Sequence, residues 1–353
     1  MNFLGAQCAP EMVTKGHEGQ DRRAFLRGIA AGILGCGGGG LIHISSHAMS
    51  SPIPPPREGM RGQVVVLRDR EMVRGDGAPR PDIILGCMTK ALERLTGAQG
   101  PEAWRTLFQP GDRVAIKVNA LGGPGIATRP EVAAAIAAGI QTAGVDPAQI
   151  LIWDRSTDEL RKAGFGIHEG GSGPMCFGTD RTGYEPLPSV HGSIGSCFSR
   201  ILTRWATSLV VVPVLKDHDL SGVSLSMKNL FGLIHNPNKY HDSGCSPYLA
   251  DLLGHPEVQK RMRLVVCDGL RAQCHGGPSH APKWSWSYCG LLVGTDPVAV
   301  DRTGAEILEE RRRQLGLPSL QEEGRPPVHI TAAQEKGLGE GRRGAIVIHE
   351  MGG

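Results

Sequence analysis

The chain has 353 residues, among them 50 glycines and 25 prolines, with a formal net charge of +3 and only 5% aromatic residues. Hydrophobic residues at 40% and charged residues at 21% suit a globular protein with a sizeable core and exclude a largely disordered one. So small a net charge and so few aromatics exclude the basic, base-stacking surfaces of nucleic-acid binders, and no nucleic-acid partner is expected.

Residues 1–48 read as a twin-arginine export signal. Asp21-Arg22-Arg23-Ala24-Phe25-Leu26-Arg27 precedes the glycine- and alanine-rich, weakly hydrophobic Gly28-Ile29-Ala30-Ala31-Gly32-Ile33-Leu34-Gly35. The expected partner is the twin-arginine (Tat) export machinery and the expected location is the periplasm. Two endings compete. Cleavage after Ser46-His47-Ala48 releases a soluble chain, whereas Ile33-Leu34-Gly35-Cys36 resembles a lipoprotein box that would tether the protein through Cys36. No transmembrane span is expected in the mature protein. Residues 49–62, with Pro52, Pro54, Pro55 and Pro56, read as a stiff linker. Beyond the signal lie seven cysteines, an odd number, in a compartment that permits disulfides; Cys267 and Cys274 are the nearest pair. No C-x-x-C occurs, so the chain carries no ferredoxin-type iron–sulfur motif and no zinc-ribbon spacing.

Residues 63–350 read as an α/β domain. Apolar, β-branched runs at Gln63–Leu67, Arg113–Val118, Ile150–Trp153, Leu209–Val214, Leu264–Cys267, Leu291–Val293 and Ala345–His349 predict buried strands. Asp82–Leu95, Pro130–Ala143 and Pro297–Leu315 predict helices between them. The alternation implies a largely parallel or mixed sheet flanked by helices. The glycine-rich stretch from Gly166 to Gly195 is either an excursion or the join between two lobes.

In such sheets ligands collect beyond the carboxyl ends of the strands, and the polar residues fall there. Lys117 and Asn119 close one run, and Asp154 and Ser156 follow the next. Lys216, Asp217 and His218 are read as the loop after Leu209–Val214, leading into a short helix with Lys228 and Asn229. Small residues at a helix start together with lysines suit a carboxylate- or phosphate-bearing molecule. We therefore take Lys216, Asp217, His218 and Lys228 as candidate catalytic groups and Lys117, Asn119, Asp154, Ser156 and Asn229 as candidate substrate contacts. Since His218, His235 and His241 fall near one another and Asp296 ends a strand, these four are the candidate ligands of a divalent metal, the one cofactor the residues suggest. Asp296-Pro297 is also a good helix start, with Asp296 as N-cap.

Taken together, Ala115-Ile116-Lys117-Val118-Asn119, Trp153-Asp154-Arg155-Ser156, Leu215-Lys216-Asp217-His218 through Lys228-Asn229, and Thr295-Asp296-Pro297-Val298-Ala299 resemble the family catalogued as domain of unknown function 362, across Gln63 to Glu350. Some members of that family look like fusions to ferredoxin-type modules, whose cysteines this chain lacks. The glycine-then-lysine helix is also similar to that of the lactate racemase type of nickel enzyme, without a matching ligand set. Two functions remain open. One is a periplasmic enzyme or ligand-binding protein for a small anionic substrate, with His218 as general base; the other is a non-catalytic metal-binding or redox accessory protein.

Overall fold

The computed structural model describes residues 58–352. The twin-arginine segment, Cys36, the Ala48 cleavage point and the prolines at 52–56 lie outside the described residues. Strand β1 (Gln63–Arg68) leads to helices α1 (Pro81–Thr96) and α2 (Pro101–Arg105). Then β2 (Val114–Val118), α3 (Pro130–Thr142), β3 (Ile150–Trp153), α4 (Thr157–Lys162) and β4 (Met175–Cys176) alternate. A small hairpin, β5 (Ser189–His191) and β6 (Ile194–Ser196), precedes β7 (Ser208–Val212), β8 (Val214–His218), β9 (Gly222–Val223) and the short α5 (Ser226–Asn229). The chain ends through α6 (Tyr248–Gly254), α7 (Pro256–Gln259), β10 (Met262–Gln273), β11 (Ser285–Trp286), β12 (Gly290–Gly294), α8 (Pro297–Gln314), α9 (Val328–Glu335) and β13 (Val347–Met351).

Eleven strands form one mixed sheet with the path β13-β1-β12-β10-β7-β2-β3-β4; β8 and β11 branch from β10, and β9 pairs with β8. From β10 through β7, β2 and β3 to β4 every pairing is parallel, while β12 runs antiparallel to both its neighbours. Side chains alternate between two cores, as a pleated strand requires. Val65 and Leu67 of β1 face the layer of α1 to α3, where Ile84, Trp104 and Ile136 are buried. Val64 and Val66 face Met227, Leu252 and Val300 on the opposite layer. Gly139 is needed for the first layer, because a Cβ there would lie 2.1 Å from the Trp104 ring.

Three expectations change. The run Leu209–Val214 is not one strand: Pro213 has no N–H for a ladder, and the chain breaks there and restarts as β8. Lys216, Asp217 and His218, read as a loop, are therefore strand residues. The end of the linker is docked, with a 3₁₀ turn at Glu58–Met60, Met60 buried, and the Gly62 N–H donated to Asp296 Oδ2 at 3.1 Å. All the described residues fall in one compact unit, which makes Gly166–Gly195 an excursion rather than a join. All seven cysteines from Cys87 to Cys289 are free thiols, so Cys267 and Cys274 form no bridge. Among the described residues, no helix is long and apolar enough to cross a membrane.

Candidate functional site

The carboxyl ends of β2 and β3 open on the same edge of the sheet, which brings Lys117 against Asp154. Lys117 Nζ lies 2.7 Å from Asp154 Oδ1 and donates at 3.0 Å to Asn229 Oδ1 and at 2.6 Å to the Val118 carbonyl. Burial pushes the Lys117 ammonium below its usual range, and Asp154 opposes that. Asp154 also accepts from the Ala120 and Arg155 amides at 2.8 and 2.7 Å, and Asn229 Nδ2 returns a bond to the Lys117 carbonyl at 3.1 Å. Every polar atom of this cluster is occupied internally. It therefore serves as a rigid floor. Gly232 makes room for it, since a Cβ there would sit 2.2 Å from Lys117 Cε and 3.1 Å from Asp154 Oδ1.

Helix α5 brings Lys228 and Asn229 over that floor, although Leu225 at its N-cap offers no capping side chain. The cap comes from α8. Asp301 accepts from the Ser226 and Met227 amides at 2.7 and 2.9 Å and from the Ser226 hydroxyl. Burial raises its carboxyl to about 7, against the pull of those bonds. Its partners lie 75 and 74 residues away in sequence, so this role leaves no local signal.

Lys228 Nζ has a single polar partner, His241 Nε2 at 3.0 Å, and lies 4.6 Å from the centre of the Phe231 ring. No carboxylate pairs with it among the described residues, and burial pushes its ammonium down to about 8. His241 Nδ1 sits 3.1 Å from the Pro237 carbonyl, which fixes Nδ1 as donor and leaves Nε2 as acceptor. His218 is pushed down to about 2, by burial first and then by Lys228, so it is neutral. Its Nδ1 is 3.1 Å from the Leu220 amide and 2.9 Å from Asp219 Oδ1, contacts that demand opposite tautomers. The amide is always a donor and Asp219 is exposed to water, so Nδ1 accepts and Nε2 carries the proton. In that tautomer Nε2 offers an N–H rather than a lone pair.

These residues border a half-open cavity of about 130 Å³, lined among others by Lys117, Asn119, Asp154, Arg155, Glu159, His218, Ser224, Lys228, Asn229, Phe231, Gly232 and His241. Its size is below the roughly 300–1,000 Å³ typical of sites for drug-sized ligands. The lining holds three cations, Lys117, Arg155 and Lys228, against two carboxylates, Asp154 and Glu159. Among the described residues Asn119 Nδ2, the Ser224 hydroxyl, His218 Nε2 and the Arg155 guanidinium have no hydrogen-bond partner, and all four residues line this space. The Glu159 carboxylate is unpartnered as well, and the remaining free groups are donors.

The other predicted residues are placed elsewhere. Lys216 does not line the cavity; its Nζ donates to Leu121 O at 2.9 Å and lies 3.3 to 3.4 Å from Ile126 O, Pro278 O and Asn119 Oδ1. Burial pushes it down to about 7, against the opposing pull of the Asp154 and Asp217 carboxylates. Asp217 points to the other face of β8, where Arg325 Nη1 at 2.9 Å and the Gly277 amide at 2.8 Å take up its carboxylate. Its role is structural. Ser156 caps α4 by accepting from the Glu159 amide at 3.3 Å. The four candidate metal ligands do not converge. His235 is exposed and packs edge-on against Tyr184, and Asp296 accepts from the amides of Gly62, Val298, Ala299 and Glu340. Four backbone amides leave that carboxylate little capacity for a cation. Among the described residues no group of three or more His, Cys, Asp or Glu side chains is arranged to hold a metal ion.

Comparison with known proteins adds a family and a distant likeness. The family model described as "Domain of unknown function (DUF362)" matches residues 114–306. No curated protein matches. Among solved structures, the lactate racemase apoprotein from Thermoanaerobacterium thermosaccharolyticum aligns at 16% identity with a TM-score of 0.40, over 73% of this chain and 59% of that one.

Proposed function

We propose that this chain, which belongs to the DUF362 family, is an exported protein that binds and acts on a small carboxylate in the Lys117–Lys228 cavity. The observation that carries the reading is the set of unpartnered donors around a space with one more cation than carboxylates. Donors that find no partner within the protein must be met by water or by a ligand, and a carboxylate is the acceptor-only group that satisfies several at once. Asn119 and Ser224 supply neutral hydrogen bonds, His218 a third, and Lys228 the compensating charge, while Lys117 and Asp154 hold the floor in register. Preorganised donors in a small pocket also favour a reaction that builds negative charge on oxygen.

Calorimetric titration with acetate, lactate and pyruvate tests the binding. The reading predicts saturable binding that Asn119→Ala weakens by about tenfold, equivalent to about 1.4 kcal/mol, and that neutral lactamide does not reproduce. Equal heats from lactate and lactamide would overturn it. Export rests on Arg22 and Arg23 ahead of the glycine-rich segment, with cleavage after Ala48 as the proposed ending. Replacing both arginines by lysine should leave the protein in the cytoplasm on cell fractionation, and unchanged periplasmic accumulation would contradict the signal.

A further inference from the structure

Two lysines line the cavity, and they are held differently. Lys117 is locked by a carboxylate, an amide oxygen and a backbone carbonyl. Lys228 has no anion, and its one polar partner is an imidazole nitrogen at 3.0 Å. Because His241 donates from Nδ1 to the Pro237 carbonyl, the nitrogen facing Lys228 bears a lone pair. An ammonium beside a neutral imidazole has a local acceptor for its proton; an ammonium beside a carboxylate is kept charged instead. Burial reinforces the difference, and Lys228 sits at about 8. The titratable groups around it are His218, Asp219, His241, Cys245, His329 and Lys216. Asp219 is the single carboxylate of that set, and its side chain is 63% exposed.

Resting on the carboxylate-binding reading of the same cavity, we propose that Lys228 is a nucleophile that forms an imine with the carbonyl carbon of a small 2-oxo carboxylate. A cavity of about 130 Å³ leaves little distance between the donors that take the carboxylate and the amine, so the carbonyl must be adjacent to the carboxylate. The balance is simple. Neutral Lys228 Nζ forms a C–N bond as the carbonyl π pair moves to oxygen; His241 Nε2 takes one proton from the nitrogen and passes it to that oxygen, which gives a neutral carbinolamine. The hydroxyl then leaves as the nitrogen lone pair closes the C=N bond, and the remaining N–H proton, relayed by His241 Nε2, completes the departing water. Amine and ketone give imine and water, with no oxidant or reductant required. His218 Nε2–H can hydrogen-bond to the developing oxyanion without giving up its proton.

The experiment is reductive trapping of the full-length protein with pyruvate and cyanoborohydride at pH 8, read by peptide mass spectrometry. At that pH the free-amine fraction of a lysine near 8 exceeds that of one near 10.5 on the order of a hundredfold. Even with the lower nucleophilicity of a weaker base, the peptide carrying Lys228 should be labelled at least about tenfold faster than any other lysine. Excess lactate, which has the carboxylate but no carbonyl, should suppress the label, and the label should grow between pH 7 and 9. Lys228→Arg, checked for native circular dichroism, should lose the label entirely. Labelling of Lys228 no faster than surface lysines would overturn the imine. A parallel titration with lactate separates the two claims: lactate binding without trapping refutes the imine alone, and neither result refutes both.

Discussion

Replacing Asp154 by alanine is the perturbation whose size follows most directly from the geometry. It removes the carboxylate 2.7 Å from Lys117 Nζ and leaves the ammonium, 1% exposed, with only the Val118 carbonyl and Asn229 Oδ1. Breaking a buried pair by removing one partner costs about 3–5 kcal/mol. An independent ceiling exists, because the stranded lysine can instead give up its proton. At pH 7 that costs about 1.36 kcal/mol for each of the roughly 3.5 pH units below its ordinary value of 10.5, or close to 4.8 kcal/mol. The two figures agree, so about 3–5 kcal/mol is the expected loss in equilibrium urea unfolding at pH 7. In the variant the folded state holds Lys117 below its unfolded value, and the unfolded chain therefore binds more protons. Stability must then rise with pH, and the deficit should shrink by about 1.4 kcal/mol per pH unit from 7 to 9. Lys117→Met combined with Asp154→Ala removes both charges and should cost less than the sum of the single changes. A loss below about 1 kcal/mol for Asp154→Ala, or one that does not vary with pH, would refute the buried, locked pair.

Gly232→Ala places a methyl 2.2 Å from Lys117 Cε, where the lysine has nowhere to move; a loss of about 1–3 kcal/mol together with weaker lactate binding is expected, and a neutral result on both would remove Gly232 from the site. Asp296→Ala should destabilise by about 2–4 kcal/mol through four orphaned amides while lactate affinity stays at the parent value, and a large affinity loss in a fully folded variant would return Asp296 to the site. Lys228 loses its charge as pH rises through about 8, so lactate affinity should fall between pH 7 and 9, and a flat profile in calorimetry would exclude its ammonium from the binding.

Much of the fold was legible because buried parallel strands announce themselves as unbroken β-branched runs. Ile150–Trp153 matches its strand residue for residue, and Val114–Val118 differs by one at the start. Helices that open on proline, at Pro130 and Pro297, were equally readable. What was hidden depended on distance. The restart of the chain after Pro213 made Lys216, Asp217 and His218 strand residues, so Asp217 turns to the face opposite Lys216 and His218, and of the three only His218 lines the cavity. No local pattern tells that Asp217 is taken by Arg325, 108 residues away, or that Asp301 caps a helix 75 residues upstream. Asp296 illustrates the converse. Its helix-capping signal was local and correct, and the extra bonds to Gly62 and Glu340 leave no carboxylate oxygen free for a metal.

The measurement closest to the central claim is a crystal structure of the full chain grown in lactate. Our account predicts lactate inside the cavity, its carboxylate within hydrogen-bond distance of Asn119 Nδ2 and the Ser224 hydroxyl, with its hydroxyl-bearing carbon turned toward Lys228. A cavity free of lactate at a concentration that saturates calorimetry, or lactate bound only away from Lys228, would contradict it.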